Sequence, residues 1–401
     1  MNIPHDKFCV LPWVSLEASP IGTVRPCCLA DDEIVDDTGV KFNLNSAAFD
    51  TIQQSNSMRQ LREEFLAGQQ PKTCRRCWNE EDAGRTSKRM HTLDRLKHMI
   101  EDAPWTADAR PLMFLDLKLG NICNLKCRIC GSWSSSTFAT EELQALPPAQ
   151  RKQSFHYEML RAGAWPRTSP GFWAELARNI NAIRYLEFTG GEPFMIQEHF
   201  DLLERLVKAG VAGSIEIHYN TNATQWPGEA AAKIWSYFKH VEIAFSIDDV
   251  GARFEYQRSG ARWSDALATI EQARSLRRRQ RNISLQVCST VNIFNVFYLE
   301  ELANWIDQQS FDYVYWNIMH DAAYFSIAGL SKPVRQAVTN RLCFAQVGSH
   351  RAEFARIMDF MNNGKQDLSG QMLAKIAELD SRRGQSLAAV APEFAGIIGY
   401  A

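Results

Sequence analysis

The chain has 401 residues, with 44 Lys and Arg against 46 Asp and Glu. That length sets a prior of two or three domains, and the net charge of −2 offers no basic footprint for nucleic acid or anionic lipid. The opening "MNIPHDKFCVLPW" lacks a basic stretch followed by an apolar run, and no segment approaches the apolar length of a membrane span, so a cytoplasmic chain with no membrane or nucleic-acid partner is expected.

The first 80 residues hold Cys9, Cys27, Cys28, Cys74 and Cys77. In a reducing compartment such clusters read as metal or redox ligands rather than disulfides. Cys9 and Cys27 bracket Gly22 in a C-x12-G-x4-C pattern, and Cys74 and Cys77 form "CRRC". Four thiols suit a structural zinc or an iron–sulfur cluster, and Cys28 is an alternative to Cys27. The proline-broken stretch "EDAPWTADARP", 101–111, reads as a linker. It separates 1–105 from 106–330, and 331–401 follow as a third segment.

Beyond the linker, strands are expected at 113–119, 183–188, 214–220, 241–248, 283–291 and 313–319. Helices are expected at 172–180, 196–210, 228–239, 263–280 and 296–309. This alternation predicts an α/β fold, a partial (β/α)6 TIM-like barrel of parallel strands with right-handed crossovers. Residues 331–401 read as a helical extension without an interpretable motif.

Chemistry in such barrels sits at the C-terminal ends of the strands. After the first strand comes "GNICNLKCRICGS", with Cys123, Cys127 and Cys130. Three thiolates on a four-iron cluster leave one iron open for a small bidentate ligand, whereas zinc would need a distant fourth ligand. After the second strand comes "TGGEP": Thr189, Gly190, Gly191, Glu192 and Pro193. A carboxylate and closely approaching backbone suit a cationic ammonium, and a turn with a helix N-cap is the plainer alternative. The third strand ends in "HYNTNAT", with Asn220 and Asn222. The fourth ends in "FSIDD", with Arg258 twelve residues after Ser246. Period-two alternation puts Ser246 and Asp248 on one strand face.

Taken in this order, the triplet, TGGEP and FSIDD resemble the radical S-adenosylmethionine (SAM) superfamily. The resemblance implies a [4Fe–4S] cluster on Cys123, Cys127 and Cys130, with SAM on its open iron. One electron then cleaves SAM to a 5'-deoxyadenosyl radical that abstracts a substrate hydrogen. It also implies that Thr189, Gly190, Gly191 and Glu192 receive the SAM amino group. Ser246, Asp248 and Arg258 would meet ribose and carboxylate, and the Ile129 backbone would meet adenine. Asn220 and Asn222 match a TNG segment, in which Ala223 replaces the usual glycine. The N-terminal cysteines resemble the SPASM/twitch domain, which implies an auxiliary [4Fe–4S] cluster on Cys9, Cys27, Cys74 and Cys77. In most relatives that domain follows the barrel, whereas here it precedes it. A flavodoxin- or ferredoxin-type reductant is expected, and a peptide or small-metabolite substrate. The lack of a recognisable leader-binding domain ahead of the cysteines weighs against the peptide. The alternatives are an epimerase with a cysteine hydrogen-atom donor, and a non-catalytic zinc- or cluster-binding protein.

The remaining residues read more plainly. Cys288 and Cys343 are expected to be small buried hydrophobes, with hydrogen-atom donation as the catalytic alternative. His320 is a proton acceptor or a solvated loop histidine. Asp116 and Lys118 are expected to form an internal ion pair. Tyr315 and Asn317 share an inward face. The arginines of "RSLRRRQR" cap a helix C-terminus.

Overall fold

Eight short strands carry the fold: β1 Ser15–Ala18, β2 Val24–Arg25, β3 Phe114–Leu117, β4 Tyr185–Phe188, β5 Glu216–Thr221, β6 His240–Phe245, β7 Ile283–Val291 and β8 Tyr313–Ile318. In the computed structural model, which describes residues 2–320 and 322–400, they form one sheet ordered β2-β1-β3-β4-β5-β6-β7-β8. Pairs β1–β3, β3–β4, β4–β5 and β7–β8 are parallel, and β1–β2 is antiparallel. Strands β3 to β8 are the six expected, separated by helices that include Pro170–Asn179, Gln197–Lys208, Gly228–Trp235, Trp263–Arg279 and Leu299–Asp307. The fold is α/β with the topology of a partial (β/α)6 barrel. No helix among the described residues is long and apolar enough to cross a membrane.

The chain divides into two compact units. The first comprises Met1–Cys123, Ser132–Tyr219 and Pro227–Glu242, and the second Asn124–Gly131, Asn220–Trp226 and Ile243–Ala401. In the first unit, strand register sorts residues by face. Leu16, Leu115, Leu186 and Ile217 stand in one row across β1, β3, β4 and β5, and all are buried. One step along, Glu17, Asp116, Glu187 and His218 form the next row, on the opposite face because side chains alternate. The sheet therefore has an apolar side and a charged side. β1 was not expected in the sheet: nothing in the alternation of 9–28 separates a four-residue strand from a loop.

In the second unit, β7 and β8 pair over six residues, with Cys288 opposite Tyr315 and Thr290 opposite Asn317. The helices Lys332–Phe344, Arg351–Asn362 and Ser369–Arg383 follow, as expected for a helical C-terminal segment. Arg277, Arg278 and Arg279 occupy the last turn of Trp263–Arg279, and Arg277 pairs with Asp312 at 2.8 Å.

Three expectations need correction. β6 stops at Phe245, where the Ile247 N–H donates to the Phe245 carbonyl at 3.0 Å. That tight turn ends the alternation, so Ser246 and Asp248 are loop residues and not two positions on one strand face. Cys343 is exposed rather than buried, because the buried stripe of its helix is Val334, Val338 and Leu342 and Cys343 lies beside it. Cys288 is half-buried, on the same side of β7 as Thr290.

Candidate functional site

The N-terminal cysteines come together through a hairpin and a helix start. Gly22 takes φ +84° in the turn between β1 and β2, where a Cβ would lie 2.7 Å from Asn43 Oδ1, so the position requires glycine. The hairpin returns Cys27 beside Cys9. The Asp31 N–H bonds the Thr73 carbonyl at 2.9 Å, which ties this segment to Cys74, and Cys77 lies in the helix Arg75–Asp82. Cys9, Cys27, Cys74 and Cys77 line one recess with Leu11, Leu29, Ala30, Phe65, Lys88 and Arg89. Cys28 does not line it.

The thiols also meet donors. Cys27 accepts backbone N–H groups from Leu29 and Ala30, and Cys77 accepts the Arg89 N–H. Burial, and then the neighbouring thiols, hold the Cys9 thiol well above its ordinary range, and burial takes Cys77 up to about 12. Loading a thiolate-bound group here therefore releases protons. Four sulfurs between apolar and cationic walls, with N–H donors at sulfur, fit an iron–sulfur cluster held by thiolates. Among the described residues, no three His, Cys, Asp or Glu side chains converge as a single-ion site.

The Cys123 triplet lies on the loop after β3, which passes from the first unit into the second at Asn124. Within the first unit, Cys123 is anchored at both backbone atoms. Its N–H donates to Ser136 Oγ at 3.1 Å, and its carbonyl accepts Thr137 Oγ1 at 2.6 Å. Gly190 and Gly191 both have positive φ, and a Cβ on Gly191 would lie 2.5 Å from the Ile122 carbonyl. The glycine pair thus lets the loop after β4 touch the cysteine loop, and the Glu192 N–H donates to that same carbonyl at 2.7 Å. Glu192 is fully buried and its Oε1 accepts the Phe194 N–H at 3.2 Å, so the helix-capping role also exists. Thr189 Oγ1 donates to Asp116 at 3.3 Å.

Within the second unit, the loop is paired along its backbone: the Lys126 and Arg128 N–H groups donate to the Ser259 and Gln257 carbonyls. Arg258, between these two acceptors, is buried. Its Nη2 bonds Asp248 Oδ2 at 2.7 Å, and its Nη1 lies 4.0 Å from Cys127 Sγ. Burial disfavours its charge, but Asp248 and then Cys127 outweigh this and raise its pKa. Arg258 Nε is buried with no partner among the described residues, a spare donor that fits an anionic group such as a carboxylate. Asp248 also accepts the Thr290 N–H at 2.8 Å. The Ser246 N–H bonds the Thr221 carbonyl at 2.9 Å. Ile129 is half-buried between Arg128 and Cys130. Asn220 closes β5 with Thr221. Asn222 accepts from Thr224 and donates to Asn124 at 2.8 Å. Ala223, buried, takes φ +67°, the backbone state that glycine adopts freely.

On the charged side of the first unit, Lys88 Nζ reaches Glu187 at 2.9 Å, Asp116 at 3.3 Å and the Cys28 thiol at 2.9 Å. Lys118 pairs with Glu17 at 2.5 Å and lies 3.8 Å from Asp116. Burial would raise Asp116, but Lys118 and Lys88 outweigh it and hold the carboxyl at about 2. The expected ion pair exists inside a larger network. Lys88 and Glu187 went unnoticed, since nothing local marks two isolated charges 99 positions apart.

Of the remaining residues, His320 is half-buried after β8 with its ring edge-on to Phe360 at 5.5 Å. Cys288 lies mid-strand in β7, and Cys343 is on the outer side of a helix.

Residues 117–307 match the family model "Radical SAM superfamily", and residues 9–78 match "SPASM", an iron–sulfur cluster-binding domain. The chain thus contains a radical SAM domain, of the class that works with SAM and a [4Fe–4S] cluster. It also contains a cluster-binding SPASM domain, placed N-terminal to the radical SAM domain. Over 161 residues it is 30% identical to the GTP 3',8-cyclase of Erythrobacter litoralis (strain HTCC2594), covering 40% of each chain. It therefore spans about two-fifths of that relative's length. Among solved structures it is similar to native anSMEcpe with bound AdoMet and Cp18Cys peptide, at 16% identity, 59% of this chain, 60% of that chain and TM-score 0.37. It is also similar to Streptococcus suis SuiB bound to S-adenosylmethionine, at 12% identity, 84% of this chain, 66% of that chain and TM-score 0.34.

Proposed function

We propose that the protein is a two-cluster radical SAM enzyme carrying out a net oxidation or bond formation on a peptide or small metabolite. Cys123, Cys127 and Cys130 would hold the SAM-binding cluster, and Cys9, Cys27, Cys74 and Cys77 the auxiliary one. When bound, these groups supply a 5'-deoxyadenosyl radical for hydrogen abstraction and an acceptor for the electron left on the substrate. The chain's own residues do the rest. Gly190, Gly191 and Glu192 offer backbone and carboxylate acceptors to the SAM ammonium, and Arg258 offers its spare donor to the carboxylate. Ser246 would meet the ribose and Asn220 is a further SAM-binding candidate, with Asp248 holding Arg258 in place. A flavodoxin- or ferredoxin-type reductant in the cytoplasm provides the first electron. His320 takes up the substrate proton.

The observation that carries the two-cluster reading is the recess lined by four N-terminal thiols. A saturated ligand set leaves no iron open for substrate, which suits an electron carrier. Anaerobically reconstituted protein is expected to hold about eight irons, and the triple variant Cys123→Ala, Cys127→Ala, Cys130→Ala about four. Tight zinc at the N-terminal site with a single cluster elsewhere would refute it. Under strong reductant, the intact protein should form 5'-deoxyadenosine slowly without substrate. With Cys74→Ala and Cys77→Ala, 5'-deoxyadenosine should still form while product is lost.

A second reading is epimerisation. It is favoured by Cys288, half-buried on the Thr290 side of β7, whereas the exposed Cys343 is the weaker donor. Product made in deuterated water would then carry one deuterium at a stereocentre, and Cys288→Ala would abolish it.

A further inference from the structure

The cysteine loop carries a second charge that the radical SAM pattern does not use. Arg128 stands between Cys127 and Cys130 and is 2% exposed. Its guanidinium stacks on the Tyr256 ring at 3.6 Å, and its Nε donates to the Tyr256 carbonyl at 3.0 Å. Nη2 donates to Asp380 Oδ1 at 2.5 Å and to Gln385 Oε1 at 3.0 Å. Asp380 belongs to the helix Ser369–Arg383, some 250 positions away. Its carboxylate is saturated: Oδ1 also accepts the Tyr256 hydroxyl at 2.9 Å, and Oδ2 accepts the Leu387 N–H at 2.9 Å and the Tyr400 hydroxyl at 3.0 Å. A buried arginine with a buried carboxylate, every lone pair used, is a rigid arrangement.

We propose that Asp380 is a positioning residue for the cysteine loop. Through Arg128 it fixes the backbone between the second and third cysteines, so the segment 380–400 is a working part of the radical site. The inference rests on the reading of Cys123, Cys127 and Cys130 as cluster ligands. The physical reason is that a cluster held by three thiols needs their spacing preset. The Lys126 and Arg128 amides tie the loop to the Ser259 and Gln257 carbonyls, and the Arg128–Asp380 pair adds a side-chain constraint from a distant helix. Loss of the pair frees the stretch Lys126–Cys130 while leaving the N-terminal thiols untouched.

The test uses the full chain, with Asp380→Asn and, as a control, Arg335→Met. Arg335 is another arginine of the C-terminal segment, bonded to the Leu330, Ala328 and Gly364 carbonyls. Hydrogen exchange at the Lys126 and Arg128 amides is read in protein without iron, so the readout does not depend on activity. Iron loss to a mild chelator is read after reconstitution. Asp380→Asn should speed exchange at these amides about tenfold, the loss expected for one charge-assisted hydrogen bond, and should release the triplet's iron ahead of the N-terminal iron. Arg335→Met should do neither. Should Asp380→Asn fail to fold, Tyr400→Phe removes one hydroxyl from the carboxylate and should shift exchange the same way, about threefold. Exchange at the wild-type rate in these variants, or equal effects in Arg335→Met, overturns the proposal. Faster exchange in a protein whose wild type binds no iron at the triplet would leave the positioning role standing and remove the cluster reading instead.

Discussion

Ala223 shows what one methyl group costs. It is buried with φ +67°, where an L-residue is disfavoured by about 1–2 kcal/mol and glycine is not. Ala223→Gly is therefore expected to stabilise the protein by about 1 kcal/mol, less the extra freedom glycine gains in the unfolded chain, read as a rise in the denaturation midpoint. His199 supplies a pH dependence. Its Nε2 meets the Tyr219 hydroxyl at 2.6 Å, and burial holds its pKa down to about 3 against about 6.5 in the unfolded chain. The folded state refuses a proton that the unfolded state accepts. The contribution is thus full above the unfolded value and is lost as pH falls from there toward the folded one. Between pH 7.5 and 5.5 the wild type should lose about 1.4 kcal/mol more than His199→Gln, measured by urea titration at both values. At this scale the sequence was most legible where a residue type is compulsory. Three clustered cysteines and a glycine pair declare themselves, whereas the fit of Gly191 against the Ile122 carbonyl is a contact between loops that the motif does not name. Asp380 does not declare itself, because one aspartate in a charged helix differs from its neighbours only by what it touches.

Among the elements, periodicity announced all six strands from β3 onward and one helix between each pair, because alternation over several residues survives averaging, but not Ser136–Ala145, Phe155–Ala162 or Gly251–Gln257. It failed at ends and at short pieces. β6 closes in a tight turn after Phe245, and β1 is a four-residue strand recruited by its partner β3. The charged row follows from register alone: Glu17, Asp116, Glu187 and His218 are neighbours only because four strands align. Lys88, on the helix Lys88–Leu96, neutralises part of this row. Lys88→Met should leave Asp116 and Glu187 short of a counter-charge and destabilise the protein by about 3–5 kcal/mol, the usual effect of stripping one partner from a buried pair. A shift of that size in the denaturation midpoint checks it. Pairing Lys88→Met with Glu187→Met should recover part of the loss, since it removes one of the stranded charges along with the lysine.

For the molecule as a whole, the linker at 101–111 suggested a clean cut, yet β1 stands in the same sheet as β3. Removing residues 1–105 should therefore expose β3 as an open edge, a template for association. The truncated chain is expected to aggregate, as read by light scattering, rather than survive as a small barrel. The same pairing bears on how the protein folds. Bringing Ala18 beside Leu117 closes a loop containing the whole N-terminal thiol set except Cys9, and loop closure must be completed before the contact stabilises anything. A metal centre on Cys9, Cys27, Cys74 and Cys77 would tie three positions of that loop to one another and to Cys9 ahead of it, so one bound early shortens the stretch still to be closed. Refolding without iron should then be slower than refolding with the N-terminal cluster in place. On the ribosome, where β1 emerges long before β3, metal loading would act as a clasp that keeps the first strand waiting in position for its neighbour.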